Sequence, residues 1–331
     1  NKIDEWIDFA KVDGDSVEMI IGLDNAKPKG YDQLKHLIAE NQGELLDTVW
    51  IKDKPIAIVA NIPRSIAPYF AQKVRSSELS RYIEPNLRFQ LSFTPDDPKW
   101  SEQWGPRKIQ ADYAWNTTKG DPSVLVAVID TGVYYDHPDL SANYVAKGRD
   151  WVNNDNDPID DQGHGTHCSG IIAATINNSI GIAGLAQVKL MAEKAFNAKG
   201  EGDSSDIANA IIHAVDQGAD ILSNSWGGYI YSALIHEAIQ YAHNHGVLVI
   251  AAAGNEGTNQ KSFPAAHNEV VAVSGTTQSD TAASWTNYGN WIELAAPGEE
   301  IYSTYGPGGY ASLSGTSMAC PHVVGVAALA W

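Results

Sequence analysis

Apolar and polar positions alternate in two styles along the chain. In the first part they mark short half-buried elements. Ser16 to Leu23 reads as a strand, and Tyr31 to Asn41 as a helix with Leu34, Leu37 and Ile38 on one face and Gly43 as its stop. Glu44 to Ile51 and Pro55 to Asn61 read as strands joined by a Lys52-Asp53-Lys54 turn, with Ile56 and Ile58 on one side of the return strand. Pro63 to Ser76 carries Ile66, Phe70 and Val74 at helical spacing, and Leu79 to Glu84 closes the series as a strand. The order β-α-β-β-α-β is that of a split ferredoxin-like unit, small enough to be marginally stable alone. The polar, extended stretch Pro85 to Asp97 reads as a linker.

From Trp100 onward the pattern changes to continuous apolar runs separated by helices. Val124 to Ile129, Val188 to Phe196, Ile221 to Ser225, Val247 to Ala253 and Val270 to Val273 read as strands; Ile207 to Gln217 and Ser232 to His245 read as helices. Unbroken apolar strands alternating with helices predict an α/β fold, a parallel sheet flanked by helices on both faces. Ligands bind such sheets at the carboxyl ends of the strands. The last apolar run, Val323 to Trp331, continues a helix beginning near Ser317 and stops without a cap or polar tail. It reads as a domain cut short at its C-terminal side.

Composition narrows the function classes. A chain of 331 residues with 44% hydrophobic content has room for one large domain and a small one. A formal net charge of −18 argues against nucleic acid or anionic membrane as partner, and leaves solvated surface or cation ligands as uses for the excess carboxylate. No apolar run reaches membrane-spanning length. The opening Asn1-Lys2-Ile3-Asp4-Glu5 is no signal peptide, so an export signal would lie upstream. Cys168 and Cys320 make no disulfide framework, and each falls in an apolar helical run as a small buried hydrophobe.

Four short stretches carry candidate chemistry. Asp130-Thr131-Gly132 ends an apolar strand, where a carboxylate is either a turn former or something more. Asp161-Gln162-Gly163-His164-Gly165-Thr166-His167-Cys168 opens a helix with a histidine between glycines, which allow close approach; no third ligand at zinc spacing follows the two histidines. Ala252-Ala253-Gly254-Asn255-Glu256-Gly257 turns out of a strand. Gly315-Thr316-Ser317-Met318-Ala319 opens the last helix, whose early Pro321 is compatible with a first turn. Singly, these are a cap, a structural histidine and turn residues. Together they supply a nucleophile, a base, an orienting carboxylate and an amide donor, the four parts that acyl transfer needs.

In this order, and with Pro321-His322, these blocks resemble the signatures of the subtilisin-like serine proteases, nearest to thermitase-like members. The likeness runs from about Thr94 to Trp331, includes Cys168, and finds a mature start in Phe93-Thr94-Pro95-Asp96-Asp97. It implies Ser317 as nucleophile, His164 as base, Asp130 as its orienter and Asn255 as oxyanion donor. It divides the chain into a propeptide over 1–84, a linker and cleavage tail over 85–92 and a catalytic domain over 93–331. Self-cleavage is expected between Ser92 and Phe93, with Phe89 in an apolar subsite.

The resemblance also assigns the substrate groove and ions. Gly200-Glu201-Gly202 and Ser225-Trp226-Gly227 would pair with extended peptide as added strands. Ser225, Trp226, Gly227, Ala252, Ala253 and Gly254 would wall the first specificity pocket, with Glu256 at its rim favouring a basic residue and Trp226 narrowing the distal subsite. Broad, apolar-leaning cleavage follows. Asp150, Asn153, Asp155 and Asp157 crowd together as oxygen ligands suited to Ca²⁺, and the family loop site adds Ile159 through its backbone oxygen. A second calcium site combines Asp97, Asp139 and the Asn178 side chain with carbonyls of Thr175, Ile180 and Ile182. A weaker third cation site uses carbonyls of Ala265, His267 and Val270 with Glu293. The expectation is a secreted, monomeric, calcium-stabilised endopeptidase inhibited by its own propeptide, acting on proteins and peptides. A non-catalytic binding module on the same fold and a latent uncleaved complex are the alternatives.

Overall fold

The computed structural model describes residues 12–24, 30–87 and 93–331, and the chain divides into two compact units, Asn1–Leu91 and Ser92–Trp331. The first contains β1 (Val12–Asp13), β2 (Ser16–Leu23), α1 (Gly30–Glu40), β3 (Glu44–Ile51), β4 (Lys54–Pro63), α2 (Ala67–Ser76) and β5 (Ser80–Pro85). Its sheet is antiparallel: β4 lies between β3 and β2, and β2 takes β1 and β5 along its other edge. Successive strand residues face opposite sides, so Val17, Met19 and Ile21 bury one face of β2 while Ile58, Ala60 and Ile62 do so on β4. Leu34 and Ile38 from α1, with Phe70, Ala71 and Val74 from α2, cover that face. This is the ferredoxin-like order that the periodicity predicts, except that α2 starts at Ala67, after a turn over 64–66.

The second unit runs α3 (Trp104–Lys108), α4 (Ala111–Ala114), β6 (Leu125–Asp130), β7 (Arg149–Asp150), α5 (His164–Ala173), β8 (Lys189–Lys194), α6 (Ser204–Asp216), β9 (Ile221–Asn224), α7 (Ala233–Asn244), β10 (Leu248–Ala252), β11 (Val270–Thr276), β12 (Leu294–Pro297), β13 (Ile301–Tyr305), β14 (Gly309–Leu313) and α8 (Thr316–Ala330). Seven strands form a parallel sheet in the order β12-β11-β10-β9-β6-β8-β7. Alternate residues of β6 serve opposite layers: Leu125, Ala127 and Ile129 pack toward α6 and α7, while Val126 and Val128 pack toward α5 and α8. Burial on both sides explains the continuous apolar run. Among the described residues no helix is long and apolar enough to cross a membrane.

The β13–β14 hairpin shows little of the apolar pattern because, beside Ile301, its buried positions are hydroxyls. Ser303 and Thr304 are fully buried, and each donates at 2.7 Å to a carbonyl of α5, that of His167 and Thr166 respectively. Those bonds join the packing of Ile301 against Cys168, Ile171 and Met318 in docking the strand. Both cysteines are buried and free.

Candidate active site

Parallel strands end on one side, so β6, β8, β9 and β10 release their following residues at one edge of the sheet. Asp130 is the last residue of β6 and is 3% exposed. α5 begins at His164, and the close approach to β6 depends on Gly165, where a Cβ would stand 2.1 Å from the Gly132 carbonyl. His164 Nδ1 thereby lies 2.8 and 2.9 Å from the two Asp130 carboxylate oxygens. Burial disfavours the imidazolium, but the adjacent carboxylate outweighs it and holds the His164 pKa well above its ordinary value. Cys168 Sγ lies 4.0 Å from Nδ1; burial pushes that thiol up, so it stays neutral and Asp130 is the charge His164 feels.

Asp160, unremarked in the sequence, holds this corner. Its carboxylate accepts from the Thr131 hydroxyl at 2.9 Å, from the amides of Gln162, Gly163 and Thr166, and from the Thr166 hydroxyl. Thr131 Oγ1 in turn accepts the Gly165 amide at 3.0 Å.

Ser317 is the second residue of α8. Its hydroxyl donates to the Ser225 carbonyl at 2.8 Å, so the structure joins Asp130 to His164 but turns Ser317 Oγ toward β9's end. A rotation about one side-chain bond redirects the hydroxyl, and catalytic serine–histidine bonds are often made only when substrate arrives. Pro321 corrects the first-turn expectation: it is the sixth residue of α8 and removes an interior amide. The carbonyl deprived of that bond is Ser317's own. It accepts instead from Ser225 Oγ at 3.0 Å and Cys168 Sγ at 3.4 Å, which tie the nucleophile's backbone to β9 and α5.

Asn255 follows β10. Its side-chain oxygen accepts the Thr316 amide at 2.7 Å and the Thr316 hydroxyl at 2.9 Å, and that hydroxyl caps the Gly254 amide. With the oxygen occupied, the Asn255 Nδ2 group is the free end, beside the first-turn amide of Ser317, which has no helical partner.

Two adjoining hollows share Ser225, Trp226 and Gly227. One is lined by these residues with Gly228, Tyr229, Ala252, Gly254, Asn255, Glu256, Ser262, Thr316 and Ser317; the other by Asp130, His164, Phe196 and Gly200 among others. Ala253 departs from the expected wall: it is fully buried behind it, its carbonyl held by Asn287 Nδ2. Gly228, Tyr229 and Ser262 line the hollow unforeseen: the first two continue the Ser225-Trp226-Gly227 wall, and Ser262 comes from a separate loop. Glu256 bonds the Tyr229 hydroxyl at 2.5 Å and the Asn255 amide at 2.9 Å. Trp226 packs on Phe196 at 5.6 Å between ring centres. Glu201 and Gly202 stand beside the second hollow, not in its lining; the Gly202 and Gly227 amides have no internal partner among the described residues.

The expected cation ligands fall into unequal sets. Asp97 and Asp139 are 3% and 0% exposed. Asp139 accepts from the Ile182 amide, Asn178 Nδ2 and Tyr310 hydroxyl, and Asp97 from the Asn177 and Asn178 amides. Desolvation raises both, Asp139 to about 6, and each also feels a neighbouring carboxylate rather than a cation. Thr175 donates its amide to the Asp139 carbonyl, and Ile180 its amide to Asn178 Oδ1. This set fits a hard cation. In the acidic loop, buried Asp150 accepts from the backbone and side chain of Asn153, Asp155 caps the Asp157 amide, and Asp157 takes the Tyr135 hydroxyl at 2.6 Å. The loop's three carboxylates do not converge on one point. The Ile159 carbonyl already accepts the ammonium of buried Lys194 at 3.0 Å, so it is a poor cation ligand. In the third set Glu293 caps the Ala272 amide, the His267 carbonyl accepts the Val270 amide, and Ala265 is buried. Phe93 donates its amide to Asn116; Ser92 and Phe89 lie outside the described residues.

A parallel sheet with a histidine–carboxylate pair, a serine at a helix start and an amide beside it defines an acyl-transfer class of protein. Residues 121–331 match the model of the subtilase family, and the chain belongs to that family. It is 46% identical over 258 residues to the thermophilic serine proteinase of Bacillus sp. strain AK1, covering 77% of this chain and 64% of the relative. It is 47% identical over 239 residues to thermitase of Thermoactinomyces vulgaris, covering 72% and 85%. A 40% identity to halolysin of Haloferax mediterranei extends over 319 residues, 95% of this chain and 62% of the relative, and so takes in the N-terminal unit. The crystal structure of a cold-adapted subtilisin-like serine proteinase superposes with a TM-score of 0.58 at 36% identity, covering 62% of this chain and 74% of that one.

Proposed function

We propose that the chain is a serine endopeptidase precursor that hydrolyses proteins through an acyl-enzyme. The observation that carries the reading is the Asp130–His164 pair at 2.8 Å on the same sheet edge as Ser317 and Asn255. Ser317 Oγ attacks the scissile carbonyl carbon while its proton passes to His164 Nε2. Asp130 keeps the Nδ1 proton in place and stabilises the imidazolium. Asn255 Nδ2 and the Ser317 amide receive the oxyanion. His164 then protonates the leaving amine, the acyl-enzyme forms, and water attacks it by the same route in reverse. The unpaired Gly202 and Gly227 amides suit an extended substrate backbone. The hollow beside Ser317 takes the first side chain, with Glu256 available to a basic one. The neutral small walls admit large apolar side chains.

Ca²⁺ is the cation this reading places at Asp97, Asp139 and Asn178 with the carbonyls of Thr175, Ile180 and Ile182. Bound there, it would neutralise two buried carboxylates. The acidic loop is a second, less organised candidate. The N-terminal unit is read as the propeptide, supported by its ferredoxin-like order and by the halolysin match reaching into it. Release would fall near Ser92 and Phe93, and the reading of a secreted protein is supported by a relative in Natrialba magadii described as extracellular. The test is incubation with Ca²⁺ and a serine-directed phosphonate, followed by mass spectrometry. A phosphonylated Ser317 and a new N-terminus near Phe93 are expected. An unmodified Ser317 in a chain freed of residues 1–92 would revive the non-catalytic reading; an unmodified Ser317 in an intact chain indicates latency.

A further inference from the structure

A second cluster of ligating side chains lies away from the cleft, on α7 and the turn before β11. The donor atoms of His236, His267 and Glu269 all lie within 4.8 Å of one another. His236 Nε2 stands 3.4 and 3.2 Å from the two Glu269 oxygens, and its Nδ1 stands 3.0 Å from the Tyr231 hydroxyl. Gln240 Nε2 donates to Glu269 at 3.2 Å. The His267 ring lies parallel to that of His236, 4.0 Å between centres and 9° between planes. His267 is 7% exposed, and its Nε2 is buried with no hydrogen-bond partner. A buried polar atom left unpaired is costly, and nothing within the fold explains this one.

We propose that His236, His267 and Glu269 form a binding site for a divalent transition metal of the Zn²⁺ class. Two imidazoles and one carboxylate leave a fourth position for water, a tetrahedral set that nitrogen-preferring ions take over Ca²⁺. His236 and Glu269 are each about a quarter or less exposed by side chain, at 25% and 19%, so the ion has an entry path. Tyr231 supplies the outer support. A metal on His236 Nε2 displaces the proton now shared with Glu269, and the ring's remaining proton sits on Nδ1 and donates to the Tyr231 oxygen. The parallel stack opens by a turn of one ring, since in-plane lone pairs of stacked imidazoles must tilt to converge.

The site is mechanically close to the specificity hollow. Tyr231 packs edge-on against both Phe263 and His267. Phe263 exchanges backbone hydrogen bonds with Gly228 at 2.8 and 2.7 Å, and Gly228 lines the hollow beside Ser317. An ion at the histidines is therefore linked through Tyr231 and Phe263 to the wall of that hollow.

The test uses the full chain carrying Ser317→Ala to prevent self-digestion, in saturating Ca²⁺ to occupy oxygen sites. Co²⁺ is titrated while visible absorption and metal content are read. The expected result is one Co²⁺ per chain with the intense ligand-field bands of a four-coordinate ion, no sulfur charge-transfer band, and displacement by Zn²⁺. His236→Gln and Glu269→Gln abolish the bands with the folded far-UV spectrum retained, and Tyr231→Phe weakens binding by about 10–100-fold. Cys168→Ser leaves the bands intact. The proposal is overturned if no bands appear at millimolar Co²⁺, if they survive His236→Gln, or if they vanish with Cys168→Ser, which would place the ion at the Asp130, His164 and Cys168 grouping instead.

Discussion

Asp130 and Asp139 are both buried, at 3% and 0% exposure, yet their surroundings differ in kind. Asp130 meets a basic group of the same chain, with His164 Nδ1 at 2.8 Å. Asp139 has amide and hydroxyl donors, but the charge it meets is another carboxylate, Asp97, and burial lifts it to about 6. Buried charge is tolerated when paired and costly when not. The first corner holds its charge partner within the chain, and the second is where the proposed reading puts a cation. On that reading the chemistry at the first corner needs only the fold, while stability at the second depends on the cation content of the medium.

Breaking the first corner has the largest effects. Ser317→Ala should lower kcat on the order of 10⁶-fold, and turnover surviving that change would remove Ser317 from the reaction. Asp130→Asn should cost about 10⁴ in kcat. It should also move the acidic limb of the kcat/KM profile to lower pH. In the proposed mechanism the base is neutral His164, whose raised pKa makes the wild type lose activity at a higher pH than an ordinary histidine would; removing the carboxylate charge lowers that pKa. A limb that does not move would separate His164 from the rate. Asn255→Ala should reduce kcat about 10²–10³-fold with KM nearly unchanged, measured on a peptide amide.

The second corner is sharpened by a sign reversal. In Ca²⁺ at about 100 times its Kd, binding adds about 2.7 kcal/mol that Asp139→Asn forfeits, lowering Tm. In chelator the same substitution removes an uncompensated buried charge and should leave Tm equal or higher. Equal losses in both media would show that Asp139 acts through its hydrogen bonds alone. The smallest effect belongs to Glu256→Gln, which should reduce preference for a basic over an aromatic first residue a few-fold in competition cleavage, since the carboxylate is exposed and already bonded to Tyr229.

The parallel sheet was legible because burial on both faces leaves uninterrupted apolar runs such as Val124 to Ile129. The site was legible as four blocks because acyl transfer demands particular residue types, and strand ends and helix starts are where a parallel sheet can gather them. Hidden from that reading were Asp160, whose five bonds come from residues of ordinary composition, and the β13–β14 hairpin, whose buried hydroxyls mimic a surface strand. Hidden too was the partner of the Ile159 carbonyl: the ammonium that it accepts belongs to Lys194, the last residue of β8.

Residue type and local spacing thus carried the family, the fold class and the candidates for the reacting groups. They could not carry the choice of partner. Pro321 illustrates the difference. Its missing amide is plain in the sequence, but the consequence is that Ser317's carbonyl turns to Ser225 and Cys168, residues more than ninety positions away. Hydrogen bonds select neighbours in space, and which neighbours exist is known only when strands and helices from the whole unit have packed.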